Sequence, residues 1–224
     1  MDRLDEALDL TAADRLFGLL SEAIVRGEMA PGAKISEPEL AARFGTSRAP
    51  LREAIRRLEE RKLVSRVAHQ GARVTVLSPA RIREVYLVRE VLEGAAAREA
   101  AQRMSAEDLG ELQRLLAAHE ARIASKDVYL QGDADDDFHF RIIRASGNAT
   151  LESLLLDEYY LLIRMLRRQL RQVPGRARRA LFEHRRIADA LADRDGDLAE
   201  LLMRRHIAAA RDSIEQTLGN APQP

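Results

Sequence analysis

The chain has 224 residues, of which 46% are hydrophobic and 32% charged, and its acidic and basic side chains balance to a formal net charge of zero. This composition indicates a folded protein with a substantial core, and the absence of cysteine excludes disulfides and thiolate chemistry. With no run of 18 apolar residues and an acidic start that lacks an apolar leader, we expect a cytoplasmic protein with no membrane partner.

The first part of the chain predicts three helices followed by a hairpin. Apolar residues at helical spacing indicate helices over residues 11–26, 36–44 and 48–61. Helical spacing then stops, and short alternating segments at 63–67 and 73–77 indicate two strands. Three helices and a β-hairpin in this order are typical of a winged helix-turn-helix.

Residue choice at the ends of these elements supports the assignment. Thr11 with Asp14, and Ser36 with Glu39, have the spacing of a capping box at a helix start. Gly71 supplies the turn of the hairpin, since glycine tolerates the backbone angles of tight turns.

Everything after the boundary at Ser78 and Pro79 is predicted to be helical. The expected helices cover residues 79–103, 105–124, 127–145, 149–172, 176–193 and 197–218. The predicted fold class is therefore mainly α. Residues 1–77 form the winged helix-turn-helix, and residues 78–224 form an all-α bundle.

Charge is unevenly distributed along the neutral chain. Residues 1–42 carry 4 Lys/Arg and 9 Asp/Glu, whereas residues 43–73 carry 9 Lys/Arg and 3 Asp/Glu. Within the basic stretch, Arg48, Arg52 and Arg56 recur every four residues, on one face of the third helix. Arginine is well suited to bidentate contact with guanine and with phosphate, so this face predicts DNA binding.

The neighbouring residues extend this prediction. Thr46 and Ser47 offer hydroxyl groups at the start of the helix, where its dipole favours phosphate, and Gly71 permits close approach of the wing to DNA. The alternative is a solvated helix face that happens to be basic, and it stays open mainly for Arg56.

The stretch from Arg26 to Val76 resembles the DNA-binding domain of the GntR family of bacterial regulators. It contains Pro-Gly, then Leu-Ala, then the pattern SRxPxREAxxRLE, and a late glycine in the wing. The resemblance implies that Arg48 and Arg52 are the principal contacts to a double-stranded operator, assisted by Ser47 and Gly71.

Two positions depart from the family pattern. Pro38 stands where fatty-acid-responsive members carry a DNA-contacting arginine, so we expect that contact to be absent. Lys62 replaces the usual glycine after the recognition helix, which alters the C-terminal cap of that helix.

Four further residues suggest a metal site in the helical domain. Asp135 and His139 are four residues apart and would share a helix face, while His184 and His206 lie on apolar stripes that point inward. Three imidazoles and a carboxylate suit a divalent transition metal of the Zn, Ni or Mn type. The alternative is that each histidine is an ordinary core or surface residue. Of the two remaining histidines, His119 is assigned to the surface and His69 to the wing.

Residues 79–218 look like the FCD ligand-binding domain of the FadR subfamily. The resemblance rests on VREVLEGAAAREAA, DxxFH, ASGN, EHRRIADAL and a final MxxH. It implies a metal held by one Asp and three His, which matches all four positions above. It also implies a small carboxylate effector, approached by Arg89.

Several of these assignments have alternatives. Arg89 is also spaced for a salt bridge with Glu93, and Asn148 is more simply a helix N-cap. The arginines between Arg164 and Arg179 suit a solvated loop face better than a second anion-binding rim.

Together these features predict a homodimeric transcription regulator, a repressor rather than an activator, and not an enzyme. Its operator affinity would depend on a carboxylate bound at the metal. Two alternatives are a purely structural metal, and a metal-dependent hydrolase with an accessory DNA-binding domain.

Overall fold

The computed structural model of the chain describes residues 10–67, 71–126, 137–170, 173 and 175–219. Their packing separates into two compact units. The first comprises the chain up to Val76 together with Glu158–Met165, and the second comprises Leu77–Asp157 and the chain from Leu166 onward. These units are defined by packing alone. The predicted division into a DNA-binding domain (residues 1–77) and a helical domain (residues 78–224) stays a prediction.

The first unit begins with helices α1 (Ala12–Arg26), α2 (Glu37–Phe44) and α3 (Arg48–Glu60). The capping box of Thr11 is present: its hydroxyl accepts from the backbone of Asp14, whose carboxylate accepts from the backbone of Thr11. The box predicted at Ser36 is wrong, because the Ser36 side chain makes no capping hydrogen bond.

These helices enclose a small apolar core. Helix α3 packs against both α1 and α2. The buried side chains include Leu16, Leu20, Ile24, Leu40, Leu51, Ile55 and Leu58. Burial of one stripe of α3 leaves its opposite face exposed.

Two antiparallel strands, β1 (Val64–Val67) and β2 (Gly71–Val74), form the wing. Val64 pairs with Val74, and Val67 pairs with Gly71. The second strand therefore lies earlier than predicted. The prediction requires Val74 and Val76 to be two core-facing positions of one strand. Val74 is buried, but Val76 is 68% exposed and lies beyond the end of the strand.

The link from α3 to the wing depends on a strained backbone position. Lys62 has φ of 60°, a left-handed conformation that glycine adopts at least cost. Its ammonium group lies 4.1 Å from the centroid of the Tyr159 ring and 3.8 Å from Glu158. The departure noted at Lys62 thus falls where the backbone favours glycine.

After the wing, every regular element in the described ranges is a helix. In order, its helices are α4 (Pro79–Arg103), α5 (Ala106–Lys126), α6 (Phe138–Ala145), α7 (Ala149–Glu152), a π-helical segment (Ser153–Glu158), α8 (Tyr160–Leu170), α9 (Arg176–Ala192) and α10 (Gly196–Gly219). In the second unit α4 and α10 form the main helix pair, α9 packs on α10 and α5, and α6 packs on α4. The predicted mainly α fold class is confirmed.

Two of the predicted helices differ from the structure. The helix over 127–145 is wrong at Asp137, whose backbone is extended and whose carboxylate caps α6; residues 127–136 lie outside the described residues. The helix over 149–172 is interrupted by the π-helical segment. Within this segment, Leu155 belongs to the apolar cluster around Ala96, and Leu156 packs against that cluster.

None of the helices in the described ranges combines the length and apolar character needed to cross a bilayer.

The core of the first unit generates a stability prediction. Leu58 is fully buried, so we expect Leu58→Ala to lower the free energy of unfolding by roughly 2–5 kcal/mol, through lost burial and the cavity that remains. Leu19 on α1 is 55% exposed, and we expect Leu19→Ala to change stability by no more than about 0.5 kcal/mol. Urea unfolding followed by circular dichroism measures both. Equal losses would contradict this account of the core.

Candidate nucleic-acid interface and metal centre

Three arginines line the exposed face of α3. Arg48, Arg52 and Arg56 are all exposed and lie on successive turns, opposite the buried stripe of the helix. Within the part of the chain that the structure describes, Arg48 forms no ion pair. Its guanidinium is therefore available to an anion.

Arg52 is held by a carboxylate from the neighbouring helix. Its Nε lies 3.0 Å from Oε2 of Glu37, the first residue of α2. The Arg52 side chain stays 64% exposed, while that of Glu37 is 28% exposed. Since Glu37 engages Nε, the two terminal nitrogens of Arg52 are left for a planar acceptor such as guanine.

Arg56 differs from the other two arginines. Its guanidinium binds Glu53 and Glu60, on either side of it along the same helix. Hydrogen bonding from Arg56 lowers the pKa of Glu53 below its ordinary value of 4.5. Two carboxylates offset the charge of Arg56, so it is the weakest of the three candidates for phosphate contact.

The remaining DNA-binding candidates border the start of α3 and the wing. Ser47 is exposed and makes no capping hydrogen bond with its side chain, and Thr46 is half-buried. Gly71 is exposed with φ of 80°, as a tight wing turn requires. The wing-tip residues His69 and Gln70 lie outside the described residues.

Three of the predicted metal ligands meet in the interior of the second unit. His139 of α6, His184 of α9 and His206 of α10 are all buried, and each offers a ligand atom within 4.8 Å of the others. The Nε2 atoms of His184 and His206 are 3.1 Å apart. Helices distant in sequence thus bring three imidazoles to one point.

Carboxylates bind Nδ1 of two of these three rings and so fix their orientation. Glu93 Oε2 lies 2.6 Å from Nδ1 of His139, and Glu183 Oε2 lies 2.6 Å from Nδ1 of His206. A carboxylate accepts, so Nδ1 of each ring donates and Nε2 is left with a lone pair. A carboxylate behind a histidine is the usual outer partner of a metal-binding imidazole.

The geometry of the cluster fits a transition metal. Two nitrogens each about 2.0–2.1 Å from one ion lie roughly 2.8–3.4 Å apart in octahedral or tetrahedral arrangements. The separation between His184 and His206 falls in this range. The imidazole donors favour Zn, Ni and similar ions over Ca or Mg.

The fourth predicted ligand, Asp135, lies outside the described residues. The expectation that one helix carries both Asp135 and His139 is wrong, because α6 begins only at Phe138. Asp137 accepts from the backbone of His139 at 2.9 Å and also binds Arg167. Asp137 therefore fixes the start of the helix that presents His139.

Burial keeps all three imidazoles neutral. It lowers the pKa of His139 and of His184 well below 6.5, and the positive charge of Arg167 acts in the same direction on both rings. Burial also lowers the pKa of His206, although the hydrogen bond that His206 donates to Glu183 opposes this shift. Neutral imidazole is the form that binds metal, so these ligands need not lose a proton at neutral pH.

Two buried arginines border the histidine cluster. Arg89 donates from Nε to Glu93 at 2.7 Å, which confirms the predicted salt bridge. Arg176 donates to Glu183 at 2.9 Å, and its Nη2 lies 3.5 Å from Nδ1 of His206. Among the described residues, Nη1 of Arg89 and Nε of Arg176 are buried with no hydrogen-bond partner.

The environment of several residues in this region differs from what the sequence predicts. Arg176 is only 5% exposed, so the solvated face expected between Arg164 and Arg179 is wrong there. His119, expected on the surface, is 1% exposed. Glu183 directly precedes His184 in the sequence. The only signal for its contact with His206 is the expectation that α9 and α10 converge at the metal site. Asn148 does cap α7, as expected.

Comparison with known proteins agrees with both units. Residues 12–74 match the family model described as "Bacterial regulatory proteins, gntR family", and residues 84–209 match the FCD domain. The chain belongs to the GntR family of regulators and carries an FCD domain.

This GntR-family regulator is similar along most of its length to proteins of known name. It is 29% identical to the HTH-type transcriptional repressor RspR of Escherichia coli (strain K12), over 90% of this chain and 88% of the relative. It is 27% identical to the galactonate operon transcriptional repressor of the same strain, over 93% and 99% of the two chains.

A solved structure supports the same fold. The putative transcriptional regulator GntR from Rhodococcus sp. RHA1 is 26% identical, covers 94% of this chain and 99% of its own, and has a TM-score of 0.72. The expectation of a DNA-binding transcription regulator rather than an enzyme is confirmed by the family and by these relatives.

The neutral histidines predict how the stability of this GntR-family regulator depends on pH. Because their folded pKa values lie below 6.5, the unfolded chain binds more protons as pH falls through that value, and stability falls with it. We expect the urea midpoint of chelator-treated protein to drop between pH 7.5 and pH 5. His139→Gln removes one such group and should flatten the dependence. A midpoint independent of pH would contradict the buried neutral cluster.

Proposed function

We propose that the chain is a homodimeric repressor that reads its operator with Arg48 and Arg52. Its operator affinity is set by a small carboxylate bound at a divalent transition metal. His139, His184 and His206 hold the metal together with Asp135. The observation that carries the proposal is the buried three-histidine cluster, with its two orienting carboxylates, in a chain that also has an exposed arginine helix.

The DNA-reading half of the proposal is supported by the unequal engagement of the arginines. Among the described residues no carboxylate pairs with Arg48, and Arg52 is held in place, whereas Arg56 is neutralised by its neighbours. Ser47, Thr46 and Gly71 lie where phosphate contacts would position the helix. An operator partner also places the protein in the cytoplasm, where bacterial DNA lies.

The carboxylate effector is supported by the buried arginines. An unpaired N–H on a buried cation costs more than an unpaired neutral donor, so Arg89 and Arg176 favour an anion with oxygen acceptors. The metal would supply a Lewis-acidic centre for a carboxylate oxygen, and Arg89 its countercharge. A relative named for the galactonate operon makes sugar acids the first effectors to examine.

The DNA contacts are tested with duplexes selected from a random library by the wild-type protein. We expect Arg48→Ala and Arg52→Ala each to raise the Kd by roughly 5- to 150-fold, which corresponds to about 1–3 kcal/mol for a lost base contact. Arg56→Ala removes the same charge from the same helix and should raise Kd less than about twofold. Fluorescence anisotropy at one salt concentration measures all three. Equal losses would show that summed charge, and not base reading, sets affinity.

The metal is tested by calorimetry on chelator-treated protein with Zn²⁺, Ni²⁺ and Mn²⁺. We expect one ion per chain, with affinity reduced roughly 10-fold or more in His184→Gln. His119→Gln, at another buried histidine, serves as the matched control. Galactonate and a panel of hydroxy acids should then change the Kd for DNA only in metal-loaded protein. A metal that raises thermal stability but leaves every carboxylate without effect would favour a purely structural role.

A further inference from the structure

We propose that the outward face of α4 is where the second copy of this chain binds, with the two α4 helices antiparallel and crossing at Val91. The inference rests on the proposed homodimer and deepens it, since it names the surface that each copy presents.

The outer face of α4 is unusually apolar. Leu87 is 56% exposed, Val88 44% and Val91 50%, all within about one turn of the helix. Contiguous apolar side chains of this size on a protein surface usually mark an interaction site. The opposite side of α4 packs into the second unit through buried Ile82, Tyr86 and Ala96 and their neighbours, so the described residues leave this outer face uncovered.

Helix α10 widens this apolar surface at one end. Arg98 of α4 pairs with Asp197 and Glu200 of α10, so the first turns of α10 lie beside the C-terminal half of α4. Leu198 and Leu201, in those same turns, are 39% and 44% exposed. A second copy centred on Val91 would bring its own Leu87 opposite this end.

Charge along the helix face points to a copy of the same chain as the occupant. Glu84 and Arg98 lie seven residues before and after Val91, so the three share one face of the helix at intervals of two turns. In an antiparallel pair crossing at Val91, Glu84 lies opposite Arg98 of the second copy, and Arg98 lies opposite its Glu84. The surface is therefore complementary to itself, as a two-fold interface requires.

The charged groups at the two ends are exposed and available for such pairs. The Glu84 side chain is 62% exposed and the Arg98 side chain 51% exposed. Each already has opposite charges at hand, Arg81 for Glu84, and Asp197 and Glu200 for Arg98, so the dimer would extend these pairs into networks. The apolar centre supplies the burial, and the charges set the antiparallel register.

Charge reversal tests the pairing through recombination of two variants. In Glu84→Arg protein two arginines meet at each end of the interface, and in Arg98→Glu protein two glutamates meet. We expect each variant alone to dissociate with a Kd raised roughly 10- to 100-fold. In an equimolar mixture, the two substituted positions face each other with opposite charges, and the unchanged Arg98 of one chain faces the unchanged Glu84 of the other. The mixture should therefore form heterodimers about as tightly as the wild type, measured by native mass spectrometry and analytical ultracentrifugation.

Further variants separate this result from misfolding and from other interfaces. Glu107→Arg reverses an exposed charge on α5 and should leave dimerisation unchanged, while Val91→Asp should yield monomers with wild-type helicity by circular dichroism. Full-strength dimers of both reversal variants, or dissociated variants that fail to recombine, would overturn the α4 interface. A wild-type chain that stays monomeric at high micromolar concentration would overturn the homodimer as well. Neither readout depends on DNA, so failure of the operator-binding proposal is detected separately.

Discussion

The buried carboxylate of Glu93 is the interaction on which the helical unit depends. One oxygen accepts from Arg89 on the same helix, and the other accepts from His139 on α6. A buried charge without such partners would cost several kcal/mol, so the three groups must be buried together or not at all. Because His139 is fixed through this carboxylate, the long helix α4 and the histidine cluster are parts of one arrangement.

A similar arrangement is repeated on the other side of the cluster. Glu183 binds His206 and Arg176, and burial acts to raise its pKa. Hydrogen bonding from His206 and the charge of Arg176 outweigh burial and lower the pKa below 4.5. Each carboxylate thus compensates a buried arginine and orients an imidazole. The three histidines meet because α6, α9 and α10 are each tied to a charge pair rather than to apolar packing alone.

Much of the fold followed from local patterns in the sequence. The capping residues Thr11 and Ser78 and the start of α9 at Arg176 mark helix boundaries within a residue of those observed. These features depend on neighbours a few positions apart, which a single sequence contains. The inward positions of His184 and His206 also followed, because their helices are long and regular in hydrophobic spacing.

What could not be predicted depended on distant partners. Asp137 is a helix cap because its carboxylate serves α6 and Arg167 together, which no periodicity reveals. The contacts of Glu93 and Glu183 with histidine rings could not be predicted, since each glutamate lies on a different helix from the histidine it binds. His119 is buried although its own helix spacing suggested the surface. In each case tertiary packing decided the position and overrode the local pattern.

The carboxylate of Glu37 has a consequence for how a regulator finds one site among many. A negative charge beside the exposed arginine face of α3 repels every phosphate backbone equally, whatever the sequence. Under the proposed function the same carboxylate steadies Arg52 for a correct base. Glu37 would thus lower the affinity for the millions of non-specific sites in a genome, while its hold on Arg52 maintains the affinity for the operator. Selectivity in that competition depends on the gap between the two affinities rather than on the strength of either.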